Sequence, residues 1–167
     1  MLKVDTQIFN RIHVNSINMS YSGMLSSGGI GFAIAYSPIN VSVCYDGTAS
    51  NDCHGFDCKR LDEILQITSV KYSSIPVTGW TINVSNKLRS HIGLGSTTQI
   101  ESQILSSILQ IGSKRTPNYQ DFIDCGIGME SGIGLKCYLN RGFQIDFGYW
   151  RKPELRGLNS SDATINS

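Results

Sequence analysis

The chain predicts an α+β fold, with a mixed or antiparallel sheet covered by helices on one face. Three observations carry this. Strand-like runs come first, and helical and strand-like runs mix later. The run from 100 to 111 puts Ile100, Ile104, Leu105, Ile108, Leu109 and Ile111 on one broad apolar face, wide enough to lie across a sheet. No internal repeat and no linker divides the chain. Its 167 residues suffice for one domain with a proper core.

The elements follow in order. Val4 to Met19 alternates loosely and predicts one or two strands. Residues 20–29 form a Ser/Gly-rich turn. Ile30–Tyr36 and Ile39–Tyr45 are strand-like runs broken by Ser37-Pro38, which predicts a hairpin. Asp46 to Asp57 is loop. Lys59 to Val70 places Leu61, Ile64, Leu65 and Thr68 on one helical face. Trp80 to Ser85 alternates as a strand, with Trp80 and Trp150 as core or rim aromatics. The long helix ends at Gly112 as a C-cap. Thr116-Pro117 opens a short helix toward Asp124, with proline in its first turn. Gly132–Leu139 and Phe143–Tyr149 predict a second hairpin around Asn140-Arg141-Gly142. Residues 151–167 are polar and aperiodic, a frayed tail.

Composition narrows the function classes. A net charge of +1 calls for neither nucleic acid nor an acidic membrane surface as partner. No apolar run reaches the length of a membrane span, and the opening residues do not read as a signal peptide, so the expected location is the cytoplasm. Five cysteines without a secretion signal predict reduced thiols. Asp52-Cys53-His54 and Asp57-Cys58 lack a second pair at zinc-like spacing, so this stretch is expected to be a polar surface loop and not a metal site.

The most informative stretch is His91-Ile-Gly93-Leu94-Gly95-Ser96-Thr97-Thr98-Gln99, a Gly-rich turn running into the apolar helix. Gly93 and Gly95 permit a tight turn and close approach to a ligand. Ser96, Thr97 and Thr98 bring hydroxyls to a helix start, where free amides and the positive end of the helix dipole favour phosphate. Ser96-x-x-Gln99 and Thr98-x-x-Glu101 each fit a capping box. A tight, well-capped loop with no ligand explains the same pattern. The loop is not a Walker A motif, since no Lys follows the second Gly, and Thr98 stands where a dinucleotide fingerprint has its third Gly.

Four segments in order resemble one family. They are Arg11-Ile12-His13 with Ile17-Asn18-Met19; Gly28-Gly29-Ile30-Gly31-Phe32-Ala33-Ile34; residues 91–99; and Gly126-Ile127-Gly128-Met129-Glu130-Ser131-Gly132-Ile133-Gly134. They are similar to motifs of the beta-ribofuranosylaminobenzene 5'-phosphate synthases, a branch of the GHMP kinase superfamily. The resemblance runs from about residue 11 to 149. It implies a GHMP-type N-terminal domain over residues 1–150, without the C-terminal domain of the family. It further implies phosphoribosyl pyrophosphate as donor, an aromatic carboxylate as acceptor, and loss of CO2 and pyrophosphate, as in methanopterin biosynthesis. Mg2+ is implied with it, with Ser96 as a contact. A second chain supplying the missing domain, or a homo-oligomer, is the implied partner.

On this resemblance Arg11 and His13 are the candidate catalytic residues. His91, Gly93, Leu94, Gly95, Ser96, Thr97 and Thr98 would bind phosphate. Gly28, Gly29, Gly31, Ser131 and Gly132 would line the substrate pocket. An ATP-dependent small-molecule kinase domain and a non-catalytic partner subunit are the alternatives. The kinases often place a catalytic Asp where this chain has Gly134, and the synthases have glycine there. The family's Asp in the opening strand is Asn18 here, its Asp before Gly-Gly-Ile-Gly is Ser27, and its two Arg of the fourth motif are Ile127 and Glu130. Arginine binds phosphate bidentately, so these last two changes remove charge where a donor would need it. Glu101 is expected to be a first-turn helix carboxylate, and Asp146 either an inward acid or an edge charge.

Overall fold

The computed structural model describes residues 1–17, 28–86, 95–129 and 132–146. The elements are β1 (Leu2–Ile17), β2 (Gly28–Tyr45), β3 (Asp52–His54), α1 (Cys58–Lys71), β4 (Trp80–Ser85), α2 (Ser96–Ser113), α3 (Tyr119–Asp124), α4 (Gly132–Asn140) and β5 (Phe143–Asp146). The sheet is mixed and five-stranded, in the order β1-β2-β4-β3, with β5 also paired to β2. Among the described strands, only the β3–β4 pair is parallel.

β2 is one continuous strand of 18 residues, not the hairpin that Ser37-Pro38 suggested. Ile8 pairs with Ile39 and Asn10 with Ile34, so the residues around Pro38 form a bulge opposite Phe9. A bulge accommodates a residue with no N–H to give to the ladder, so proline interrupts the pairing without turning the chain. β1 is likewise one strand, with a second irregularity between His13 and Asn15.

Ile39, Val41 and Val43 of β2 and Trp80 and Ile82 of β4 are buried at alternate positions. Their face of the sheet meets Leu61, Ile64 and Leu65 of α1 and the apolar stripe of α2 in one core. The intervening residues Asn40, Ser42, Asn83 and Ser85 are polar, which leaves the other face of this half to water. The strand at 80–85 and the helix over 58–71 stand where periodicity placed them.

Three expectations are corrected. Gly112 lies inside α2, whose C-cap is Lys114. A Cβ on Gly112 would sit 2.9 Å from Ile75 Cγ1, so this glycine answers to packing rather than to helix termination. Pro117 precedes α3, whose N-cap is Asn118 in a capping box with Asp121. Gly132–Asn140 is a helix, not the first strand of a hairpin, and the Asn140-Arg141-Gly142 turn joins it to β5. Its Gly-apolar alternation imitates a strand, but Ile133, Gly134, Leu135 and Cys137 are buried together. The helix propensity lost at Gly134 is offset by close packing against α2. Residues 20–27, Tyr149, Trp150 and the tail at 151–167 lie outside the described residues.

The 46–57 stretch is not all loop. Short β3 pairs with β4 and holds Cys53 with its Cα 5.6 Å from that of Cys58, the first residue of α1. The two are joined in a disulfide, against the expectation of five reduced thiols. The spacing of the pair in the fold, invisible in the count, decides this. Cys44, Cys125 and Cys137 are free and buried, and burial pushes the Cys125 thiol up to about 11. Among the described residues no helix is long and apolar enough to cross a membrane, and no three His, Cys, Asp or Glu side chains form a metal site.

Helix α3 is tied to α1 by charge. Lys71 Nζ lies 2.7 Å from Asp121 Oδ1 and 2.8 Å from Asp124 Oδ2. Tyr72 donates to Asp121 as well, at 2.7 Å. Burial pushes the Asp121 carboxyl up, yet Lys71, the Asn118 N–H and the Tyr72 hydroxyl together hold it below its ordinary value. A depressed carboxylate stabilises the fold above its unfolded pKa, and that contribution disappears as pH falls through the folded value. Asp121→Asn should therefore cost about 2 kcal/mol near neutrality. The gap from wild type should close as pH falls from about 5 to about 2. Denaturant unfolding at both pH values checks this, and an equal cost at both would show that charge is not what matters.

Candidate functional site

Helix α2 begins without a side-chain cap. Its N-cap is Gly95, in left-handed backbone at φ 48°, so Ser96 is the first helical residue and cannot itself be the cap. Neither capping box forms. Gln99 instead donates to the Gly134 carbonyl at 2.8 Å, tying α2 to α4. Glu101 is engaged by Arg60, whose Nε lies 3.2 Å from Oε1. The first amides of α2 are thus left without the side-chain acceptor that helices commonly supply.

Arg11 faces this helix start. A Cβ on Gly95 would collide with the Arg11 guanidinium, coming within 2.7 Å of Cζ. A Cβ on Gly134 would lie 3.2 Å from Arg11 Nε and 3.0 Å from Thr98 Cγ2. Arg11, Gly95, Thr98 and Gly134 therefore share one site, and the two glycines leave the room the guanidinium occupies. Arg11 is only 8% exposed, and its Nε and one terminal nitrogen have no hydrogen-bond partner. Burial holds the guanidinium below its ordinary pKa, with the neighbouring Cys137 pulling the other way. A buried cation with unpaired donors is costly. Here those donors lie beside the positive end of a helix, where an anion would satisfy both.

His13 pairs with Gly31 across the β1–β2 ladder, two residues beyond Arg11, which pairs with Ala33. Its Nε2 is buried without a partner. Gly31 allows α4 to approach: a Cβ there would meet the Ile12 carbonyl at 2.8 Å and Ile133 Cγ1 at 3.0 Å. Gly28 and Gly29 are buried further along β2, paired with Ile17 and Ser16. Gly132 abuts Asp146, whose Oδ1 accepts from Lys136 at 3.0 Å. Asp146 is thus an inward acid, 4% exposed. Ser96 is buried, Thr98 half-buried and Thr97 exposed. His91, Gly93, Leu94 and Ser131 lie outside the described residues, as do Asn18, Ser27 and Glu130.

Two matters were beyond sequence reasoning. Ile127, where the resembling family has arginine, is fully buried in the hydrophobic core. The link from Gln99 to Gly134 has no sequence signal, because it depends on how α2 and α4 are placed. Serine and threonine hydroxyls alone do not make a Mg2+ site, and Glu101, the acid in the first turns of α2, is taken by Arg60.

The fold is similar to that of several solved small-molecule kinases and of a decarboxylase. The fold matches a mevalonate kinase with a TM-score of 0.61 at 14% identity, over 91% of this chain and 56% of that one. It matches the Methanococcus jannaschii mevalonate kinase at 0.54 and 13%, over 84% and 48%. It matches a mevalonate diphosphate decarboxylase from Legionella pneumophila at 0.58 and 14%, over 88% and 52%. The sequence is similar to two proteins named beta-ribofuranosylphenol 5'-phosphate synthase. The one from Archaeoglobus fulgidus is 26% identical over 161 residues, 96% of this chain and 50% of the relative. The one from Methanocaldococcus jannaschii is 29% identical over 153 residues, 84% of this chain and 45% of the relative. The chain thus spans about half the length of the curated relatives it matches. No family model matches it.

Proposed function

We propose that this chain carries the donor site of a synthase-type phosphoribosyl transferase. It would bind phosphoribosyl pyrophosphate at the start of α2 and couple the ribose 5-phosphate to an aromatic carboxylate. The observation that supports this most is Arg11, a buried cation with unpartnered donors beside an uncapped helix start. In the reaction, the bond from the ribose carbon to pyrophosphate breaks and a C–C bond forms at the same carbon. The acceptor's carboxylate leaves as CO2, and its bonding pair stays with the ring. Negative charge gathers on the departing pyrophosphate. Arg11 and the first amides of α2 would stabilise it in place as that charge develops. His13, two residues along the strand, would position the ribose end.

The kinase alternative shares the fold but fits the site less well. A catalytic Asp at position 134 has little room, because even a Cβ there crowds Thr98 and Arg11. We further propose that a second chain, or a second copy of this one, completes the acceptor side of the site.

A thermal-shift panel with Mg2+ tests the reading on wild type and Gly95→Val. Phosphoribosyl pyrophosphate at a hundred times its Kd should contribute about 2.7 kcal/mol. That is roughly 5–10 °C for a chain of this size. The shift should vanish in the variant, whose side chain would strike Arg11, and ATP should give little. A shift with ATP alone would favour the kinase. No shift with either ligand, from a folded protein, would reject stand-alone donor binding.

A further inference from the structure

One cavity runs along α2 from Gln99 to Lys114. It measures about 760 Å3 and opens between β1, α2, α4 and the segment joining α2 to α3. A cavity of this size suits a small molecule. Its charged lining residues are Lys114, Arg115 and Arg141, and no Asp or Glu lines it.

These cations differ from most others among the described residues. Lys3, Arg60, Lys71 and Lys136 each pair with a carboxylate. Apart from Arg11 and Lys59, the described basic residues without such a partner are the three at this cavity. Lys114 and Arg141 both stand in left-handed backbone, at φ 53° and 55°, positions that usually go to glycine or asparagine. Arg141 lies 5.6 Å from the centre of the Phe9 ring and Arg115 5.2 Å from that of Tyr72. Cation–π contact at these distances leaves guanidinium N–H groups for a ligand.

The wall is already ordered. The Tyr138 hydroxyl lies 3.0 Å from Gln103 Oε1 and 2.9 Å from Ser106 Oγ, and Gln103 donates to Ser107 at 3.1 Å. Lys114 and Arg115 follow the end of α2, and Arg141 follows the end of α4, so each also complements a helix dipole. The dipoles account for the sign of these charges. They do not require both helices to end at one cavity that lacks a carboxylate.

We infer that this cavity is a second anion site, built for a small, multiply charged organic anion bearing carboxylate or phosphate groups. Arg115 and Arg141 would grip it bidentately and Lys114 would add a point charge. The 18 residues of α2 extend about 27 Å, so Lys114 is far from the site at Gly95. The Lys114 end of the cavity is thus separate from the helix start, while Gln99, Ala33 and Cys137 bring its near end toward Arg11.

Calorimetric titration of the full chain with citrate, and separately with glycerol 3-phosphate, tests this. At least one should bind saturably at concentrations up to about 10 mM. The better of the two identifies the anionic group preferred. Arg115→Gln with Arg141→Gln should weaken binding at least tenfold, Arg141→Lys less, and Arg11→Gln not at all. The circular dichroism of each variant must match that of wild type, and a double variant that fails this is replaced by single Arg141→Gln. No saturable binding by either probe overturns the inference. So does binding that survives loss of both arginines, or that disappears with Arg11, which would assign the anion to the helix start.

Discussion

Replacing Arg11 with methionine should make the ligand-free protein more stable while abolishing its response to phosphoribosyl pyrophosphate. The side chain is 8% exposed and leaves Nε and a terminal nitrogen without partners. Methionine fills a similar volume with a flexible apolar chain and removes the buried charge. Relief of an uncompensated cation should contribute about 1–3 kcal/mol. That raises the melting temperature by roughly 2–10 °C. Opposite movement of stability and binding is what distinguishes a residue kept for a ligand from one kept for packing. A fall in melting temperature in the absence of ligand would show that Arg11 already stabilises the fold, and the site argument would fail with it.

The largest loss of stability is expected at Trp80. Its side chain is fully buried, its ring lies tilted at 50° against Tyr45 with centroids 5.1 Å apart, and its indole N–H donates to the Pro76 carbonyl at 2.7 Å. Its backbone N–H is held by Asn51 Oδ1 at 3.1 Å, which joins β4 to the segment before β3. Trp80→Ala should cost about 3–5 kcal/mol. The melting temperature should drop by roughly 6–20 °C. Trp80→Phe should retain most of the packing and lose about 1 kcal/mol with the hydrogen bond. A cost below that of the Phe variant would mean the surrounding core collapses into the space.

Much of the architecture follows from local patterns. The alternation at 80–85 and the helical stripes at 61–68 and 100–109 each specify an element and its buried face, because a period of two or of 3.6 admits one regular structure. The glycine loop and the Arg-Ile-His strand could be proposed as parts of a candidate site for the same reason, since their motifs are contiguous. Other features were not. Gly132–Asn140 has the alternation of a strand, and only packing of Gly134 against Thr98 makes it a helix. Ser37-Pro38 has the look of a turn, and only pairing with β1 makes it a bulge.

By itself, then, the sequence determined the α+β class, the apolar faces and the resemblance to a phosphate-handling family, all properties of residues close along the chain. The tertiary structure alone decided that Cys53 meets Cys58, that Ile127 is core, that Arg11 is buried with two unpaired nitrogens at a helix start, and that three cations converge on one cavity. Each of these is a distance between residues on different elements. Such distances arise from how the apolar faces pack together, and no local period encodes them.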